Sequence, residues 1–486
     1  MTRTADPLVG HGNTAGRPDP DLVGRGLARA RVAAGPGRIG AVSHPADLGV
    51  LEAAAALRAR TLSARELVES CLARTRERDG THSHDGDPGS VNAWVRVYEE
   101  DALEAAARAD ERLAAGDAPD LCGIPIGLKD LYAVAGKPLT ASSRVMDEVP
   151  DRDCDAWANL SAAGMVLLGH LHTHEFACGG TTDQVGNPWS LERSAGGSSG
   201  GSGAALASSQ VPAATGTDTA GSLRIPSAAC GTSTVKPTRG LVSLCGIVPL
   251  APSFDHAGPM TRAVRDCEPL LAALAGVEPA RDRRPLRRYA VSPRIGDLDA
   301  DVADGLERAI DALPGERVEP PPPAARLDVL GEFFDLVLTE MLAYHRRFED
   351  RRDDYRYSNR ARLEHAEQRA MTAEEFVAGQ VGRGEDTAAW RDWLVEHRID
   401  AVVEPTVPIV APVRGSGYDE PFGDLDDLSL THYWDWTGFP VVALPSGVGK
   451  RSGLPTSVSL VGLPGTDWDV LAWGTALQAE LGTVTP

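Results

Sequence analysis

No stretch of about 18 consecutive apolar residues occurs in this 486-residue sequence, so it offers no membrane-spanning helix. The first residues, Met1-Thr-Arg-Thr-Ala-Asp-Pro7, lack the apolar h-region of a secretory signal. Paired cysteines are missing as well. The seven thiols are scattered, odd in number and without a CxxC pair, which argues against a zinc ribbon or a disulfide framework and fits a reducing compartment. Positive charge is in short supply: 48 basic against 69 acidic side chains leave a formal charge of −21. That excess favours solubility and opposes binding to phosphate backbones or anionic membranes. These absences predict a cytoplasmic protein with no membrane partner and no direct nucleic-acid partner. Internal repeats are also absent, and a composition of 24% charged and 42% hydrophobic residues is that of an ordinary globular chain.

Residues 1–45 are rich in Gly, Pro, Arg and Asp without sustained apolar periodicity, and are expected to form a flexible extension. From Ala46 to about Arg78 apolar residues recur at helical spacing, and Ser63 with Glu66 makes a capping-box pattern that starts a second helix. A further helix is predicted over Glu99 to Ala115. Short apolar runs then alternate with Gly-rich loops, as in Gly164-Met-Val-Leu-Leu-Gly169 and Gln210-Val-Pro-Ala-Ala214, which predicts an α/β fold with a mixed sheet covered by helices. Charged helices follow the run Pro320–Pro323, one from Leu327 to about Asp350 and one from Ala361 to about Val381. The end, from Ile399 to Leu477, reads as strand and turn. The simplest organisation is one large domain over 46–486 with a variable helical region at about 280–400.

Three segments carry chemistry. In Ser194-Ala-Gly-Gly-Ser198-Ser199-Gly-Gly-Ser202-Gly203 the glycines permit backbone approaches that side chains would block, and the plausible helix from Ala204 to Ser209 places this run at a helix entrance rather than in a linker. A phosphate-binding loop would need a lysine after the glycines, and none is there. The second segment, Thr217-Asp218-Thr219-Ala220-Gly221-Ser222-Leu223-Arg224-Ile225-Pro226, leads toward a helix at Ser227–Cys230. Ser222 there is either a nucleophile beside backbone N–H groups that stabilise an oxyanion, or a turn and N-cap residue. The third, Gly123-Ile-Pro-Ile-Gly-Leu-Lys129-Asp130, ends an apolar run on a lysine. Burial would lower its pKa and make it a base near neutrality, whereas a surface lysine would pair with Asp130. Nothing in the residues themselves chooses Ser198 over Ser199.

Together and in this order these segments resemble the amidase signature family. The likeness extends to Cys230-Gly-Thr-Ser-Thr-Val-Lys-Pro-Thr238, to Pro249-Leu-Ala-Pro-Ser-Phe-Asp-His-Ala-Gly-Pro259, and to Trp436-Thr-Gly-Phe-Pro-Val-Val-Ala-Leu-Pro445, and covers roughly residues 46–480. It implies an amide hydrolase of a single α/β domain in which Ser222 attacks the carbonyl. Ser198, held by a cis peptide bond, relays the proton to neutral Lys129, and the backbone N–H groups of Thr219, Ala220, Gly221 and Ser222 form the oxyanion hole. It implies no cofactor and no metal, a small-molecule amide as substrate, and is compatible with a homodimer. Members also include the ammonia-releasing component of a glutamine-dependent amidotransferase, and the same acyl-enzyme can serve amide formation or ester cleavage. Many members carry Gly-Gly-Ser where this chain has Ala220-Gly221-Ser222; the added methyl restricts φ at Ala220 without blocking N–H donors.

Cys178, Gly179, Arg224 and Trp434 are the candidates for substrate contact. Cys178 is otherwise a small buried thiol, Trp434 a core aromatic, and Arg224 either orients Asp218 or another carboxylate or reads an anionic group on the substrate. His170, His172 and His174 alternate along a strand as metal ligands would, but HExxH would need a histidine where Cys178 stands, so a polar strand end is the expectation.

Overall fold

The computed structural model describes residues 44–415, 417 and 430–486, so nearly all of the predicted extension lies outside the described residues. Ser63 caps the helix Ala64–Arg78: its Oγ accepts the Glu66 N–H at 3.1 Å while the Glu66 carboxylate accepts the Ser63 N–H at 2.9 Å. The helix Glu99–Ala115 begins with three acidic residues in its first turn, favourable at the positive end of the dipole, and stops at Gly116, which takes φ 81°.

An eleven-stranded mixed sheet forms the centre. Its order is Trp94–Val97, Val166–Leu171, Pro125–Lys129, Ala213–Asp218, His256–Thr261, Ser233–Lys236, Val441–Val448, Pro455–Val461, Ala401–Pro405, Arg288–Val291 and Glu316–Val318. Helices cover it, as the α/β reading expects. Pro125–Lys129 is parallel to both its neighbours, with Ile126 opposite Ala213 on one side and Pro125 opposite Val166 on the other. Every residue of Pro125–Lys129 and Ala213–Asp218 is buried, as parallel strands covered on both faces require.

Two expectations change. The helix predicted from Ala361 to Val381 is two helices, Tyr357–Arg369 and Ala373–Glu396. Ala370 turns left-handed at φ 46°, and Thr372 with Glu375 forms a second capping box that restarts the chain. The C-terminal part read as strand and turn contains the helix Asp467–Leu481, whose Val470, Leu471, Gly474 and Leu477 are buried at helical spacing. Gly474 lets it approach the sheet closely, since a Cβ there would lie 2.7 Å from Val442 Cγ1. Among the described residues no helix is long and apolar enough to cross a membrane. All seven cysteines are free thiols.

Candidate active site

Because Pro125–Lys129 and Ala213–Asp218 run parallel, their C-terminal ends bring Lys129 beside Thr217 and Asp218, the edge where open α/β sheets place ligands. Lys129 is fully buried. Its Nζ donates to Ser198 Oγ and to Thr217 Oγ1, each at 2.8 Å, and its backbone N–H to Thr215 Oγ1 at 3.1 Å. Burial pulls its pKa down to about 7 by penalising the ammonium, against the carboxylates of Asp218 and Asp255, which favour it. The alternative pairing with Asp130 does not form. Asp130 instead accepts the Ser142 N–H at 2.8 Å and the Thr140 hydroxyl at 2.5 Å, holding the next loop in place.

Ser198 reaches Lys129 because the glycines before it permit a path no side chain would. Gly196 takes φ 72°, a Cβ on Gly197 would sit 2.2 Å from the Thr181 carbonyl oxygen, and the Gly197–Ser198 peptide is cis, as the family resemblance implied. The Ser198 carbonyl accepts the His174 N–H at 2.9 Å and the Thr182 hydroxyl at 3.1 Å. Of the neighbouring hydroxyls, Ser199 Oγ bonds the Thr217 carbonyl at 3.4 Å and Ser202 Oγ the Thr215 carbonyl at 2.8 Å, so only Ser198 is aimed at the lysine. The helix Gly200–Ala207 starts within the glycine run itself.

Ser222 lies in the turn between the strand ending at Asp218 and the helix Arg224–Cys230. Its carbonyl accepts the Ser199 N–H at 3.3 Å, which ties the two serine segments together. Among the described residues its hydroxyl bonds to no protein group. Gly221 takes φ 134°, a conformation reserved for glycine, whereas Ala220 keeps an ordinary negative φ, so the extra methyl costs the turn nothing. Of the four backbone donors named from sequence, Gly221 N–H is committed to Asp218 Oδ1 at 2.5 Å. Thr219, Ala220 and Ser222 retain theirs.

Arg224 is 1% exposed and turns inward. Its Nε and NH2 grip Asp218 at 2.8 and 3.0 Å, NH2 also reaches Asp435 at 2.6 Å, and NH1 the Thr431 carbonyl at 3.0 Å. Burial disfavours its charge, but the two carboxylates more than offset this and hold its pKa above the usual value. Asp435 also lies 3.2 Å from His256 Nδ1. Beside it, burial lowers Lys236 to about 7. Trp434 is wholly buried, its indole N–H on the Glu404 carboxylate at 2.5 Å. Cys178 is buried with Sγ 3.4 Å from Met341 Sδ, and a Cβ on Gly179 would collide with the His174 ring at 2.3 Å.

The histidine trio is built into the protein. His170 bonds Tyr98 and the Tyr132 carbonyl, His172 bonds Ser142, and His174 bonds the Thr181 carbonyl. Burial lowers the pKa of all three. Among the described residues no group of three His, Cys, Asp or Glu side chains is placed to hold a metal ion.

Sequence reasoning missed two partners in the site. Thr217 sits inside a quoted motif, but only the neighbouring strand shows that its hydroxyl meets the lysine. Asp435 lies 211 positions from Arg224, with no local signal to connect them.

A family profile described as Amidase matches residues 85–303. The amidase-type chain of the glutamyl-tRNA(Gln) amidotransferase of Anaeromyxobacter sp. (strain K) is 31% identical over 90% of this chain and 96% of its own length. A crystal structure of an amidase superposes with TM-score 0.78 at 30% identity, covering 90% of this chain and 100% of that one. The structure of 6-aminohexanoate cyclic dimer hydrolase gives TM-score 0.77 at 26% identity over 89% and 97%.

Proposed function

The chain belongs to the amidase signature family, hydrolases acting on C–N bonds, and on that premise we propose that it cleaves a carboxamide through an acyl-enzyme on Ser222. The observation that carries this reading is the buried Lys129 amine, 2.8 Å from Ser198 Oγ, in a setting that lowers its pKa to about 7. Neutral Lys129 accepts the Ser198 proton as Ser198 takes that of Ser222, and Ser222 Oγ bonds to the carbonyl carbon. The free N–H groups of Thr219, Ala220 and Ser222 receive the developing oxyanion. The proton returns through Ser198 to the nitrogen as the C–N bond breaks, and water then attacks the ester by the same relay, releasing the acid and restoring Ser222. Asp218 and Arg224 hold the turn; in this reading Arg224 and Trp434 do not touch substrate, while Cys178 and Gly179 pack behind Ser198. The substrate is a small-molecule amide, no cofactor takes part, and the free thiols fit a cytoplasmic location.

The test is denaturation-controlled kinetics of Ser222→Ala together with intact-mass measurement on the wild type during turnover. Loss of activity in a folded variant and an acyl adduct on Ser222 are expected; a folded, active Ser222→Ala protein would falsify the mechanism.

A second reading follows from the name of the tRNA-amidotransferase relative: the same site would release ammonia from glutamine for a bound partner. Native purification with a stoichiometric partner and glutamine-dependent ammonia release would favour it. Product analysis with competing amines separates hydrolysis from acyl transfer.

A further inference from the structure

A cavity of about 190 Å³ opens beside the relay, walled by Leu244, Ile247, Val248, Leu250 and two prolines, with Thr217 and Asp255 at its polar edge. Two links tie it to the reacting centre. Thr217 is the residue whose hydroxyl accepts from Lys129 Nζ, and Asp255 accepts from the hydroxyl of Thr219, which carries one of the free oxyanion donors. The wall is pinned to the backbone just after the lysine, for the Val248 N–H donates to the Leu131 carbonyl at 2.9 Å and the Ala133 N–H to the Gly246 carbonyl at 3.1 Å.

The polar atoms at the edge are already spent. Asp255 accepts the Thr219 hydroxyl at 2.5 Å and the backbone N–H groups of Leu250 and Ala251 at 3.0 and 3.2 Å, and the Thr217 hydroxyl is on the lysine. A charged group entering this space would lose its hydration and gain no partner, which is costly. An uncharged ring gains burial, and apolar cavities of about 150 Å³ are large enough to take up benzene.

We propose that this cavity binds the amine half of the substrate, and that this half is an uncharged, ring-sized apolar group, making the enzyme an N-aryl amide hydrolase rather than one for primary carboxamides. The proposal rests on the hydrolase reading above. The cavity is assigned to the amine half because its edge residue Thr217 holds Lys129, the end of the relay that returns the proton to the departing nitrogen. The balance is that of amide hydrolysis: the acyl–nitrogen bond breaks, the nitrogen takes the relayed proton, and an arylamine leaves uncharged into the cavity.

The test pairs acetanilide with acetamide in the wild type and in two variants, Val248→Trp to fill the cavity and Leu250→Ala to enlarge it, with aniline binding to the Ser222→Ala protein measured by calorimetry. The wild type is expected to prefer acetanilide by about tenfold or more in kcat/KM, the order of discrimination that apolar contacts supply. Val248→Trp lowers that ratio by about tenfold, chiefly through KM, and added to Ser222→Ala it removes aniline binding. Leu250→Ala shifts preference from the anilide to the N-naphthyl amide, which keeps the test decisive if the tryptophan variant misfolds. The proposal is overturned if both variants leave the ratio unchanged, if aniline binds equally well to the filled cavity, or if the variants alter selectivity for the acyl half instead. Should the wild type hydrolyse no amide, the hydrolase reading fails while aniline binding still decides whether the cavity is a site.

Discussion

Arg224 and Asp218 form a bidentate, fully buried pair, and the same two carboxylate oxygens accept the backbone N–H groups of Gly221 at 2.5 Å and Leu223 at 3.2 Å. The carboxylate therefore clamps the turn on both sides of Ser222. Asp218→Asn keeps the shape but replaces one acceptor by a donor and strips Arg224 of half its counter-charge. Breaking a buried pair from one side is expected to cost about 3–5 kcal/mol, read from urea unfolding. A folded fraction should lose kcat more than KM changes.

The second prediction concerns pH. If Lys129 is the base, kcat/KM falls as pH drops through about 7, where the amine takes up a proton, and levels off above it. Replacing Ser198 by Ala should lower the plateau by orders of magnitude. A rate independent of pH between 5 and 9, recorded at saturating and limiting substrate, would remove Lys129 from the relay.

Stability has its own pH signature. The folded pKa of Lys129 lies below its ordinary value of 10.5, so between about pH 7 and that value the unfolded chain binds a proton that the folded one does not. Stability therefore rises with pH across this window, by about 1.4 kcal/mol per pH unit for each such group. Lys236 contributes with the same sign. Lys129→Met should flatten the slope by one proton's worth in denaturation midpoints collected from pH 7 to 10.

Gly197→Ala tests the path that delivers Ser198. The new methyl would meet the Thr181 backbone at 2.2 Å, and neither side can yield, so a loss at or above the roughly 1–3 kcal/mol of ordinary overpacking is expected. Gly296→Ala, with nothing within 4 Å, is the matched control and should change the melting temperature little.

The histidines furnish a last check. Since each of His170, His172 and His174 is hydrogen-bonded within the protein, prolonged dialysis against a chelator should leave turnover intact. Strong inhibition that zinc reverses would refute that expectation.

Much of the fold was legible because local signals agree with it. Capping at Ser63, the acidic first turn at Glu99 and short apolar runs between glycines all report on their own neighbourhood, and the elements appear where those signals lie. The break after Arg369 was also written locally, in Thr372 and Glu375, but the surrounding charges read as one continuous helix. The helix Asp467–Leu481 was harder, since its buried stripe is defined by the strands it packs on.

What the sequence by itself determined is the set of chemical groups: a lysine closing an apolar strand, a glycine-cradled serine pair, and a second serine after a small-residue turn. Tertiary structure decided which of them meet. Parallel pairing of Pro125–Lys129 with Ala213–Asp218 sets Lys129 against Thr217, the approach to Thr181 selects Ser198 over Ser199, and Asp435 arrives at Arg224 from 211 positions away. The physical reason is that desolvation and hydrogen bonding act over a few ångströms of space. They depend on neighbours that the order of residues does not name.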